Sequence, residues 1–169
     1  MLFEEKISQA KNNVSNYLEE GLLKKVDFDK NILGILIQNS EESLIEAQKV
    51  NSFLWKIVMS YYSMFYIANA VLLKSGYKVG HKIAHKVTSD ALIVIIKDKL
   101  KKELLEDYET VKEEALNFIK ADEIIQSFEF ERSKRSKVQY ETTQKIKESK
   151  AKTSINRAKE FMLAMKKLL

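Results

Sequence analysis

The sequence predicts an all-α fold, an up-and-down helical bundle formed by a single domain over residues 1–169. Three observations carry that prediction. The 169 residues contain no proline and four glycines, against many Ala, Leu, Ile, Lys and Glu, so long helices with short connections are favoured. Apolar residues recur at steps of three and four in segment after segment, and no strand-like alternation is found. The stretch Asn51–Gly76 has no charge between Lys56 and Lys74 and presents apolar side chains all round the helical wheel. A helix of that kind is buried on every side or lies in a membrane. The uncharged run Ile57–Leu73 is shorter than the about 20 residues a span requires, and it carries Ser60, Ser63 and Asn69. It is therefore read as the central helix of a soluble bundle, with one face on its own chain and another on a second copy.

The elements follow in order. Leu2 to about Lys25 reads as the first helix, with Phe3, Ile7, Ala10, Val14 and Tyr17 on one face and Gly21 weakening its last turn. Asp27-Phe28-Asp29 is a break rich in N-cap candidates. A second helix is predicted from about Lys30 to Val50 through Ile32, Ile35, Leu36, Leu44 and Ala47, and Asn51 or Ser52 caps the central helix. Gly76, Tyr77 and Gly80 mark a loop, Gly76 suiting the left-handed position just past a helix end. GHKIAHKVTSDALIVII leads into a further helix. Asp98–Glu114 alternates in charge sign like a solvated helical face, with Leu104, Tyr108, Val111, Ala115 and Phe118 inward. Another helix is predicted from Asp122 to about Gln139, then a break at Glu141–Thr143. The last helix runs from about Gln144 to Leu169, with Ala151, Ile155, Ala158, Met162, Met165 and Leu169 as its packing stripe.

The chain has no cysteine, so disulfides and thiol chemistry are excluded. MLFEEKISQA lacks a signal-peptide pattern, and a cytoplasmic location is expected. The formal charge is +5, and its distribution says more than its size. Between Arg132 and Lys152 there are eight Lys or Arg residues and two Glu, a net of +6 that leaves −1 for the rest of the chain. A polyanion meets this as a local patch.

Four groups of residues can be weighed for chemistry. His81 and His85 stand four apart, which on a helix puts both imidazoles on one face as in a metal site. No carboxylate or thiol completes a shell, and Lys82 and Lys86 oppose a cation, so no metal is expected. The alternatives are a solvated pair, or an anion-binding face made with Lys82 and Lys86 where a helix begins. In Arg132-Ser133-Lys134-Arg135-Ser136-Lys137, cations and hydroxyls at close spacing can hold phosphate through forked hydrogen bonds. The bland reading is a solvated helix end that complements the dipole. Tyr61, Tyr62, Phe65 and Tyr66 could stack on bases, but an apolar helix uses such rings for packing. The carboxylates of Glu103–Glu114 read as a solvated face. There is no phosphate-binding glycine loop, nucleophile elbow or zinc-ligand spacing, so no cofactor is expected.

Taken together, YYSMFYIANAVLLKSGYKVGHK and the later FEFERSKRSKVQYE resemble the HEPN superfamily (higher eukaryotes and prokaryotes nucleotide-binding), in particular its small stand-alone prokaryotic members. The matching positions are Tyr61, Tyr62, Met64, Phe65, Ala68, Ala70, Leu72, Leu73, Gly76, His81 and Lys82, then Arg135, Tyr140 and Glu141. The resemblance covers the chain from about Leu33 onward. It implies a HEPN-type bundle that pairs as a homodimer, here through the central and motif-bearing helices. Many members are metal-independent endoribonucleases in which an Arg-x4-6-His motif from each protomer meets its mate. Several are toxins paired with a nucleotidyltransferase-type antitoxin. Arg135 falls on the motif arginine, but Tyr140 stands at the histidine position. A histidine exchanges protons near neutrality; a tyrosine with pKa ~10 does not. The phosphate-binding set implied is Arg132, Lys134, Arg135 and Lys137, with His81 and Lys82. The expectation is RNA or nucleotide binding with little or no cleavage, by the effector half of a toxin–antitoxin-like pair, Arg135 and Tyr140 standing at the catalytic positions. The alternative is a non-catalytic module that binds a nucleotidyltransferase partner.

Overall fold

The computed structural model describes residues 3–127 and 137–169, and the side chains of residues 4–120 and 147–169. Its elements are α1 (Phe3–Glu19), β1 (Leu23–Lys25), α2 (Lys30–Lys49), α3 (Phe53–Lys74), β2 (Tyr77–Val79), α4 (Ala84–Ala91), a π-helical turn (Leu92–Ile96), a short 3-10 turn (Lys97–Lys99), α5 (Lys102–Ser127) and α6 (Lys137–Lys166). The predicted all-α bundle is what forms.

Local chemistry fixes the starts of the two central helices. The Asp29 carboxylate accepts from the backbone N–H groups of Asn31 and Ile32 at 2.7 and 3.3 Å, which caps α2. Ser52 does the same for α3 by accepting from the Trp55 N–H. Lys56 then reaches back and donates to the Ala47 and Gln48 carbonyls at the end of α2, satisfying groups that a helix end leaves open.

α3 is the axis of the core. Ile57, Tyr61, Met64, Ile67, Ala68, Ala70 and Leu72 are fully buried, and Val58, Val71 and Leu73 nearly so. Ser40 on α2 donates to the Ser63 carbonyl at 2.7 Å, which locks the α2–α3 contact with a buried hydroxyl. α6 packs along the back of α3, and α5 lies beside both, Tyr108 stacking between Tyr61 and Phe161 at 5.9 and 5.4 Å. α3 is long and apolar enough to cross a membrane, but 67% of its most apolar window is buried inside the bundle. It is a core helix, as the sequence suggested. One stripe stays open: Trp55, Met59, Tyr62, Tyr66 and Asn69 repeat at steps of four and three, Trp55 being 48% exposed and the others half-buried.

Several expectations are corrected. α1 stops at Glu19, because Gly21 takes φ +71°, a left-handed turn that ends the helix rather than weakening it. The next residues form β1, paired antiparallel with β2 in the register Leu23↔Val79, Lys24↔Lys78, Lys25↔Tyr77. Three-residue strands are too short to leave an alternating pattern, so the sequence shows only a loop there. Gly76 does adopt the expected left-handed conformation, at φ +89°. α5 runs unbroken to Ser127, across the predicted division near Asp122. α6 starts at Lys137 and passes through the predicted break at Glu141–Thr143. Thr142 and Thr143 are β-branched but are not helix breakers, and neither glycine nor proline is near. On α2, Ile35 is 57% exposed, and Leu33, Ile37 and Ser40 join Leu36, Leu44 and Ala47 on the inner side.

Candidate functional site

The described residues bring together one group of polar side chains that helical spacing could not reveal. It is centred on His85, near the start of α4. His85 Nδ1 and the Tyr61 hydroxyl are 2.6 Å apart. The imidazole lies against Phe65 at 4.9 Å, Tyr61 at 5.4 Å and Tyr62 at 6.0 Å between ring centroids. Behind it Lys112 of α5 donates to Ser89 Oγ at 2.7 Å and pairs with Glu109 at 2.6 Å, while Ser89 donates to the His85 carbonyl at 3.0 Å. Three helices thus meet on one histidine.

The electrostatics favour a neutral ring. Burial lowers the His85 pKa below the ordinary imidazole value, and the Lys112 ammonium lowers it further. Burial likewise raises the Tyr61 hydroxyl above the ordinary tyrosine value. The Tyr108 hydroxyl, completely buried, is also raised; it has no hydrogen-bond partner in good geometry among the described residues, although Tyr61 is close enough to influence it. Tyr61 and His85 Nδ1 share this hydrogen bond, its direction following the imidazole tautomer, and Tyr108 influences the Tyr61 hydroxyl from its other side. Nε2 has no hydrogen-bond partner among the described residues.

The sequence-predicted residues distribute differently. His81 and Lys82 are exposed and precede α4, which begins only at Ala84 after Ile83 takes a left-handed φ of 46°. His81 and His85 therefore do not share a helical face, and the metal-like spacing is accidental. Among the described residues no group of three or more His, Cys, Asp or Glu could hold a metal ion. Arg132, Lys134 and Arg135 lie outside the described residues. Lys137 and Tyr140 fall within α6, but their side chains also lie outside the described residues. The backbone still places Tyr140. Ser154 on α6 donates to Glu114 on α5 at 3.5 Å, two residues past Lys112 of the histidine cluster. Tyr140 is fourteen residues before Ser154 on one continuous helix, hence about 21 Å along its axis at ~1.5 Å per residue. Within one protomer the His85 cluster and the start of α6 are separate places. A shallow open cavity of about 480 Å³ lies elsewhere, lined by Lys25, Val26, Asp27, Ser75, Gly76 and Tyr77 at the two-stranded ladder.

Compared with known protein families, with curated proteins and with solved structures, the chain returns no match.

Proposed function

We propose that this chain is a HEPN-type RNA- or nucleotide-binding protein of the cytoplasm that works as a homodimer and cleaves RNA weakly or not at all. The observation that carries this reading is an all-α bundle built on the YYSMF helix, in a chain whose sequence also bears Arg135-x4-Tyr140-Glu141. Arg135, with Arg132, Lys134 and Lys137, holds phosphate, and Arg135 neutralises charge developing on it. Tyr140 supplies a hydroxyl that positions the ligand and is not a base at neutral pH. The paired state is supported by the open α3 stripe: Trp, Met and Tyr at heptad-like steps make the kind of surface a second helix covers. The same stripe supports the second reading, a non-catalytic interaction module that docks a nucleotidyltransferase-type partner.

The test is purified protein with a mixed RNA pool in the presence of chelator. Binding that weakens in Arg135→Ala and little in Tyr140→Phe, without turnover, is the expected result. Robust cleavage abolished by Tyr140→Phe would make the protein a metal-independent endoribonuclease instead. No RNA or nucleotide binding, with tight capture of a nucleotidyltransferase partner, would leave the interaction module.

A further inference from the structure

The network around His85 is more than packing requires. Tyr61 holds Nδ1 at 2.6 Å, Phe65 and Tyr62 flank the ring, and Ser89 links the His85 carbonyl to Lys112 of α5. The imidazole is thereby fixed in direction while Nε2 is left without a hydrogen-bond partner among the described residues. Two more polar tips beside it are in the same condition, the hydroxyls of Tyr62 and Tyr66. Tyr62, Tyr66 and His85 are all half-buried. Of the enclosed side-chain polar atoms among the described residues only the Tyr108 hydroxyl lacks a partner, so these three tips are open to solvent. The result is a wall of aromatic rings with a wet polar rim. Tyr62 meets Phe65 and His85 edge-on at 6.2 and 6.0 Å, and Tyr66 leans against Tyr62 at 6.0 Å. Apolar rings carrying a few convergent polar atoms are the usual lining of a site for a small flat ligand.

The charge beside this wall is positive and uncompensated. Lys82 and Lys86, three residues before and one after His85, are exposed and make no ion pair among the described residues. The carboxylates of the neighbourhood are engaged elsewhere. Asp90 of α4 accepts from Tyr17 and Asn13 of α1, and Glu109 behind the imidazole pairs with Lys112. Between Lys82 and His85, Ile83 takes a φ of 46°, a left-handed conformation that strains a β-branched residue, and its side chain stands exposed. Strain of that kind gathers where a fold must place neighbouring groups for a ligand.

We propose that Tyr62, Phe65 and Tyr66 of α3 and His85 of α4, with Lys82 and Lys86 at the rim, bind a nucleoside monophosphate unit. The base lies on the tyrosine rings, His85 Nε2 hydrogen-bonds an edge of the base, and the two lysines take the phosphate. With Nδ1 engaged by Tyr61, a neutral imidazole offers Nε2 as donor or acceptor according to its tautomer, and base edges carry both. Free phosphate would use the lysines alone. An apolar helix would cover the rings but leave both lysines and the imidazole without partners. The inference goes beyond the reading of Arg135, because no residue of that segment takes part. The Trp55–Met59 end of the open α3 stripe is left for pairing.

The experiment titrates the full-length protein with AMP, adenosine and inorganic phosphate, read by calorimetry and by the imidazole NMR signals. The chain has two histidines, and the signals missing from His85→Gln are those of His85. AMP should shift the His85 signals, and adenosine and phosphate should each bind at least about tenfold more weakly than AMP. Tyr62→Leu should weaken AMP and adenosine alike by roughly tenfold, the scale of one lost base–aromatic stack. Lys82→Gln with Lys86→Gln should bring AMP down to the affinity of adenosine and leave adenosine unchanged. Thermal melting checks that the variants fold. His85 signals that do not move with millimolar AMP overturn the site; RNA binding that is lost in Arg135→Ala would still leave the α6 reading standing. A shift at His85 together with RNA binding indifferent to Arg135→Ala supports the site and removes the α6 reading instead. Phosphate bound as tightly as AMP overturns the site, since the lysines alone would account for it. His85 signals that move with protein concentration and not with AMP also overturn it, giving the face to a second copy.

Discussion

Tyr61→Phe and Tyr108→Phe remove the same atom from two fully buried rings whose centroids are 5.9 Å apart, yet the two should act in opposite directions. Each substitution keeps the aromatic ring, so the apolar burial and stacking are nearly unchanged and the hydroxyl decides the outcome. Tyr61 loses a 2.6 Å hydrogen bond to His85 Nδ1, and the imidazole loses the partner that orients it. A lost bond of this kind, with a half-buried partner left unsatisfied, costs about 1–2 kcal/mol. Tyr108 loses a hydroxyl that is buried without a partner among the described residues. Removing an unsatisfied buried polar group returns its desolvation cost, so Tyr108→Phe should be neutral or stabilising by up to about 1 kcal/mol. In a domain of this size 1 kcal/mol moves the melting temperature by roughly 2–4 °C. Scanning calorimetry at pH 7.5 should find Tyr61→Phe lower by about 3–6 °C and Tyr108→Phe at or above wild type. Equal destabilisation by both would refute the reasoning, since it would require the Tyr108 hydroxyl to be bonded as well as that of Tyr61.

Two further outcomes follow from the same contacts. The folded-state pKa of His85 lies below its unfolded value of 6.5, so below that pH the unfolded chain binds more protons. The contribution is therefore complete above pH 6.5 and is lost as the pH falls through the folded pKa; urea melts of His85→Gln should show a smaller loss between pH 7 and pH 5 than wild type. Asp90 accepts from the Tyr17 hydroxyl at 2.8 Å and from the Asn13 amide at 3.0 Å, joining α1 to α4. Asp90→Ala leaves both donors unpaired and should cost about 2 kcal/mol by the same melts, whereas a change under 0.5 kcal/mol would mean that water replaces the carboxylate freely.

Helix type and extent were legible where a periodic face was long and its cap was local. α2 and α3 begin where Asp29 and Ser52 say they should, because an N-cap acts over three residues and is written in sequence. The two-stranded ladder was not legible, since its pairing joins Leu23 to Val79 across the whole α2–α3 hairpin. The division of α5 and the break in α6 were misplaced for another reason: charge-rich and threonine-rich stretches look weak locally, and packing of Val111, Ala115, Ala151 and Ala158 carries the helices through. The His85 cluster was missed because its partners stand 24 residues back on α3 and 27 residues on in α5. The signal that could have pointed to it was α4 itself, where His85 and Ser89 stand one turn apart on one face.

The separation of the two polar places bears on catalysis. Phosphodiester cleavage without a metal needs a group that exchanges protons near neutral pH, held within hydrogen-bond reach of the reacting oxygen. His85 has the chemistry, a neutral ring with an oriented free nitrogen, but it belongs to the α3–α4–α5 junction. Tyr140, at the proposed motif position, is instead some 21 Å farther along α6 than Ser154, which bonds to Glu114 of α5. No rotamer change bridges such a gap within one protomer. Within one protomer His85 and Tyr140 therefore do not meet in one site. Ala158, Phe161 and Met165 of α6 are buried in the core that α6 forms with α3 and α5. The proton-exchanging group and the tyrosine of the late motif thus stand apart in the fold, a separation that helical spacing in the sequence could not show.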